Sequence, residues 1–90
     1  MGFDAVDVKS CHRYLISELL SARTRKGRYG GPFENRTRFL REVAGGIRGA
    51  AGDSIAVTPR INVYDAIPYP YGWGMPEDGD GWGSDEPVRL

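Results

Sequence analysis

The sequence predicts an α/β unit in which one strand crosses over through helices to a second, parallel strand. Three observations predict it. An apolar, β-branched run occupies residues 3–9, helical patterns follow at 13–21 and 33–51, and a second β-branched run lies at 55–62. A strand–helix–strand order makes the two strands parallel, with a right-handed crossover. Residues 1–63 hold this unit, and residues 64–90 read as an irregular tail.

The first strand rests on Phe3, Ala5, Val6 and Val8. It runs into a polar knot, Lys9-Ser10-Cys11-His12-Arg13-Tyr14, and then into a helix whose Leu15, Ile16, Leu19 and Leu20 fall at helical spacing. The stretch Ser21 to Gly31 carries four cations (Arg23, Arg25, Lys26, Arg28) and three glycines, which marks an exposed loop. Pro32 suits the first turn of a helix, and Glu34 complements its dipole. Leu40, Val43, Ile47 and Ala50 then recur at spacings of three and four as one apolar face. Gly45 and Gly46 weaken this helix by up to ~1 kcal/mol each, so tertiary packing must hold it. Gly52 ends it, Asp53-Ser54 turn the chain, and the strand through Ile55, Val57 and Ile61 tolerates Pro59 inside it.

The tail has no period of 2 or 3.6 and is rich in glycine, proline, aromatics and acids. Its tyrosines and tryptophans at 64, 69, 71, 73 and 82 read as loop anchors. Near its end, Ser84-Asp85-Glu86-Pro87 make a helix start with little helix behind it, the expectation for a piece of a longer chain.

Ninety residues make one small domain with a marginal core. The net charge is zero but divided: residues 1–60 hold eleven basic and six acidic groups, residues 61–90 one basic and six acidic. A single cysteine excludes an internal disulfide, and Cys11 with His12 alone cannot form a structural zinc site, so no metal is expected. No membrane-length apolar run, signal peptide or myristoylation pattern is present, and a cytoplasmic location is expected.

Function follows from topology. Lys9 ends the first strand and Arg60 lies near the end of the second. Parallel neighbours ~4.8 Å apart open both groups onto one rim, and that rim is the ligand side of α/β sheets. Taken singly, these residues have plainer readings. His12 is a loop histidine, Cys11 a small buried apolar group, Lys9 a snorkelling strand-end lysine, Tyr14 a packing aromatic, and Arg60 a surface charge.

The stretch FDAVDVKSCHRYLISELLSARTRKGRYGGPFENRTRFLREV resembles the old yellow enzyme family of flavin oxidoreductases. The points of resemblance are His12-x-Tyr14-Leu15, Leu20-Ser21 and above all Tyr29-Gly30-Gly31-Pro32-Phe33-Glu34-Asn35-Arg36. They cover roughly residues 2–75, most firmly 3–63. The resemblance implies a (β/α)₈ TIM barrel, of which this chain would supply about strands 4 to 5. A whole barrel takes ~250 residues.

The resemblance also implies FMN, reduced by NADH or NADPH, with hydride passed to a small-molecule alkene activated by a carbonyl. His12 falls on the second member of the family's histidine pair, which donates hydrogen bonds to the substrate carbonyl. Lys9 stands where the first histidine belongs. Tyr14 falls on the proton donor to the α-carbon, and Arg60 on the arginine against the flavin N1/O2 edge. Asn35 and Arg36 are read as structural. The isolated chain is expected to be inactive. Two alternatives stand beside this reading: a nucleic-acid-binding module using the Arg23–Arg28 cluster, with affinity falling steeply in salt, and a coding fragment without function.

Overall fold

The computed structural model describes residues 2–76 and 85–90. Trp82 and Ser84, singled out above as a loop anchor and a helix cap, lie outside the described residues. The chain runs β1 (Ala5–Ser10), α1 (Leu15–Leu20), α2 (Phe33–Arg36), α3 (Arg38–Ala51), a 3₁₀ turn at Gly52–Ser54, β2 (Ala56–Ile61) and α4 (Asp85–Arg89).

β1 and β2 pair in parallel, in the register Val6↔Val57, Val8↔Pro59, Lys9↔Arg60 and Ser10↔Ile61. Side chains alternate along a strand and parallel partners share a face. Val6, Val8 and Ser10 therefore lie with Val57 and Ile61, while Asp7 and Lys9 lie with Thr58 and Arg60. The first face is covered: Val8, Ile16, Leu20, Leu40 and Trp73 form the buried core, with Phe33, Phe39, Val43, Ile47, Val57 and Ile61 packed against it. Complete burial of Leu20 contributes about 1.5–3 kcal/mol. Among the described residues, every buried side-chain nitrogen and oxygen has a hydrogen-bond partner.

The elements differ from the sequence expectation in three places. The first helix begins at Leu15 rather than residue 13, because His12 and Arg13 hold φ values of 60° and 57° and cannot enter a right-handed helix. The expected 33–51 helix is two helices. Thr37 separates them at φ −90°, ψ −5°, and its hydroxyl shares the Phe33 carbonyl with its own backbone N–H, both at 3.0 Å. The strands run 5–10 and 56–61 instead of 3–9 and 55–62.

Residues 62–76 form no helix or strand, yet they close the core. The Trp73 side chain is 1% exposed and stacks near Phe33, with ring centroids 6.5 Å apart. Its indole N–H donates to the Asn62 carbonyl at 2.9 Å. The Asp65 N–H donates to the Trp73 carbonyl at 2.8 Å, and the Asp65 carboxylate accepts from the Trp73 N–H at 3.0 Å. The glycines beside it are required. A Cβ on Gly72 would strike the Ile67 carbonyl oxygen. One on Gly74, at φ +72°, would strike the Val63 carbonyl oxygen.

Candidate functional site at the C-terminal ends of the strands

Lys9 and Arg60 are register partners at the C-terminal ends of β1 and β2, on the face that α3 leaves open. Like charges side by side repel, and Asp7, two positions back on the same face, relieves this: the Arg60 Nε lies 2.5 Å from Asp7 Oδ2. Both side chains are about half exposed, so the pair contributes no more than ~1 kcal/mol. The Lys9 ammonium turns instead to Tyr14, 3.7 Å from the ring centroid. A cation against an aromatic face is worth about 0.5–1 kcal/mol at such a site, enough to favour one placement of the flexible lysine. Tyr14 is 61% exposed and immediately precedes α1.

His12 is exposed and makes no hydrogen bond among the described residues. Its position is set by its backbone. Two successive side-chain-bearing residues in the left-handed region cost about 1–2 kcal/mol each, so the surroundings must hold the turn. Arg13 is gripped from three sides. Its guanidinium meets Glu18 on α1 with Nε 2.8 Å from Oε1, donates to Ser21 Oγ at 3.0 Å, and donates to Asp65 Oδ2 at 2.7 Å. The Asp65 side chain is 1% exposed and also accepts from Asn62 Nδ2 at 3.0 Å.

Lys9 and Tyr14 are thus in contact, Arg60 is in register with Lys9 and engaged with Asp7, and His12 extends from the turn between Lys9 and Tyr14. Asp7, Arg13 and Asp65 were missed by the sequence reading. Asp7 carried a usable signal, since it sits two positions before Lys9 on a strand. Arg13 and Asp65 lie 52 positions apart with no motif linking them.

A cleft of about 570 Å³ lies elsewhere, lined by Arg23, Arg36, Tyr69, Met75 and Glu86 among others. Its arginines are already occupied. Arg23 and Arg36 both bind the Glu86 carboxylate, and Arg36, nearly fully buried, donates to the Leu20 carbonyl at 2.7 Å and the Gly31 carbonyl at 2.8 Å. Asn35 donates to the Gly27 and Gly30 carbonyls. Glu86 thereby ties α4 to the loop that follows α1.

Within the basic cluster, Arg28 pairs with Glu42 at 2.9 Å, and Glu42 also accepts from the Tyr29 hydroxyl at 2.9 Å. The Arg28 guanidinium, and then the Tyr29 hydroxyl, hold the Glu42 carboxyl below the usual carboxylate range. Among the described residues there is no group of three or more metal-ligating side chains, and no helix is long and apolar enough to cross a membrane.

A cation, an exposed histidine and an exposed tyrosine thus gather at the C-terminal strand ends, the end at which α/β folds generally take their ligands. Comparison with known proteins narrows this further. Residues 1–71 match the NADH:flavin oxidoreductase / NADH oxidase family, and the chain belongs to that family. It is 42% identical to a 4,4'-dithiodibutanoate disulfide reductase of Rhodococcus erythropolis over 74% of this chain and 17% of that protein. It is 49% identical to an NADPH dehydrogenase of Clostridium acetobutylicum over 52% of this chain and 14% of that protein. It is 37% identical to an NADH-dependent flavin oxidoreductase of Hypocrea jecorina over 73% of this chain and 17% of that protein. The chain therefore spans about one sixth of the length of these relatives.

Proposed function

We propose that this chain supplies about strands 4 and 5 of a flavin-dependent TIM barrel, and that its open face forms part of the substrate and flavin site of a cytoplasmic NAD(P)H oxidoreductase. The observation that supports this reading is the Lys9↔Arg60 register: the two cations share one face at one strand end, as neighbouring substrate and flavin groups would have to. The face fits one part of FMN. Arg60, half exposed, can meet the pyrimidine edge of the ring, where a cation stabilises the anionic reduced state. FMN, when bound, accepts hydride from NADH or NADPH and delivers it to the substrate.

The residues of this chain do the rest. Lys9 and His12 donate to the carbonyl oxygen of an activated alkene, where negative charge builds as hydride adds to the β-carbon. Tyr14 gives its phenolic proton to the α-carbon. Lys9 brings a full cation to a position the family fills with histidine, favouring acceptors that develop concentrated anionic charge.

A disulfide is such an acceptor, and the name of the Rhodococcus relative supports a second reading. Hydride adds to one sulfur, the S–S bond breaks, and the other sulfur leaves as a thiolate beside Lys9. Binding to nucleic acid is the weaker alternative, because Arg23 and Arg28 are already engaged by Glu86 and Glu42.

The test uses the flavin-loaded enzyme carrying this segment, assayed with NADH or NADPH against an enone and against an alkyl disulfide. His12→Ala and Tyr14→Phe are each expected to lower kcat about 10²-fold or more, and full activity in both variants refutes the assignment. The 90-residue chain alone is expected to bind no FMN, because both strand edges and the open face lack their partners. Flavin absorbance retained through purification of that chain would contradict this.

A further inference from the structure

We propose that Arg13 is a positioning residue. It ties the His12–Tyr14 turn to the buried carboxylate of Asp65, so that the loop ending at Trp73 sets the orientation of His12 and Tyr14. The inference rests on the reading of those two side chains given above.

The turn is strained at two adjacent positions, His12 and Arg13, neither of which is glycine, asparagine or aspartate. Such a conformation persists only where several contacts determine it together. Glu18 and Ser21 lie close in sequence and anchor Arg13 to α1. Asp65 is the long-range anchor, and it is itself rigidly held. Its carboxylate is buried, accepts from Asn62 Nδ2 and the Trp73 N–H, and is fastened by an indole ring inside the core. A rigid chain of contacts thus runs from the core through Trp73, Asp65 and Arg13 into the turn.

The contacts are spread over Nε and both terminal nitrogens of the guanidinium, a spread that the single ammonium nitrogen of a lysine does not reproduce. Tyr14 and His12 flank the tethered residue directly. Rotation of Arg13 into right-handed geometry would swing both side chains and move Tyr14 off Lys9.

NMR on the 90-residue chain tests this without flavin. His12 is the only histidine, so one imidazole Cε1–H signal reports its surroundings. Strong intraresidue amide–α NOEs at His12 and Arg13 report positive φ. Arg13→Gln is expected to weaken both NOEs and shift the imidazole signal while the Trp73 indole signal stays in place. Asp65→Asn is expected to do the same, and the double variant to change the turn no more than either single one, as coupled residues should.

Unchanged NOEs in Arg13→Gln with the indole in place overturn the proposal, as do single effects that add. If Arg13→Gln also displaces the indole signal, Arg13→Lys decides: release of the turn supports the fork, and wild-type NOEs overturn it. In the flavin-loaded enzyme, Arg13→Lys is expected to lower kcat about tenfold with KM for NAD(P)H unchanged. A fully active His12→Ala enzyme would remove the reading of His12 while leaving the NMR result to judge the tether on its own.

Discussion

The two faces of the β1–β2 pair share a backbone and a register but little else. One carries Val6, Val8, Ser10, Val57 and Ile61 against α3 and Trp73. The other carries Asp7, Lys9, Thr58 and Arg60 with no helix of the described residues over it. The packed face spends its side chains on excluding water. The open face carries an exposed ion pair and a cation–aromatic contact, worth about 1 kcal/mol each at most, and a hydrogen bond from the Thr58 hydroxyl to the Val6 carbonyl at 3.2 Å. Packing and surface charge are therefore separated by strand parity: odd positions of β1 are free to carry charge because even positions hold the fold.

Substitutions can break or sharpen that contrast. Trp73→Ala is expected to have the largest effect, a loss of about 3–5 kcal/mol by urea denaturation followed by circular dichroism, since it empties the packed side. Val8→Ala is expected to cost about 2 kcal/mol, against about 1 kcal/mol or less for the exposed Thr58→Ala, which gives up one exposed hydrogen bond to the Val6 carbonyl. Equal losses at the two positions would dissolve the distinction between the faces. Asp7→Asn is expected to cost under ~1 kcal/mol and to reduce the salt dependence of unfolding, because it removes a screened surface pair.

The smallest effect belongs to Glu42, away from either face. Its carboxyl is held below the usual range in the folded chain, so its contribution is present above the unfolded carboxylate pKa. That contribution is lost as pH falls through the depressed folded value. Acid titration of stability should show it in the wild type, and Glu42→Gln should remove that component.

Topology was legible in the sequence because β-branched runs and helical periodicity are local signals, and their order dictates parallel pairing. That was enough to place Lys9 beside Arg60. The turn between β1 and α1 was not legible. Left-handed geometry at His12 and Arg13 has no glycine or asparagine to announce it, and one of the contacts that hold it comes from Asp65, far along the chain. Trp73 was legible only as the anchor of a loop. That it anchors into the core of this chain depends on a loop path that only tertiary contacts determine. The break at Thr37 was hidden inside a continuous helical pattern, since one hydroxyl turned back on the backbone leaves the apolar spacing intact.

Gly72 and Gly74 carry a consequence for how this chain can vary. Any larger residue at either place collides with a carbonyl oxygen, and the indole between them has no spare volume. A library randomised over the whole chain and selected for folding should return those three positions unaltered. Phe3 and Tyr71, aromatic but turned to water, should come back as almost anything.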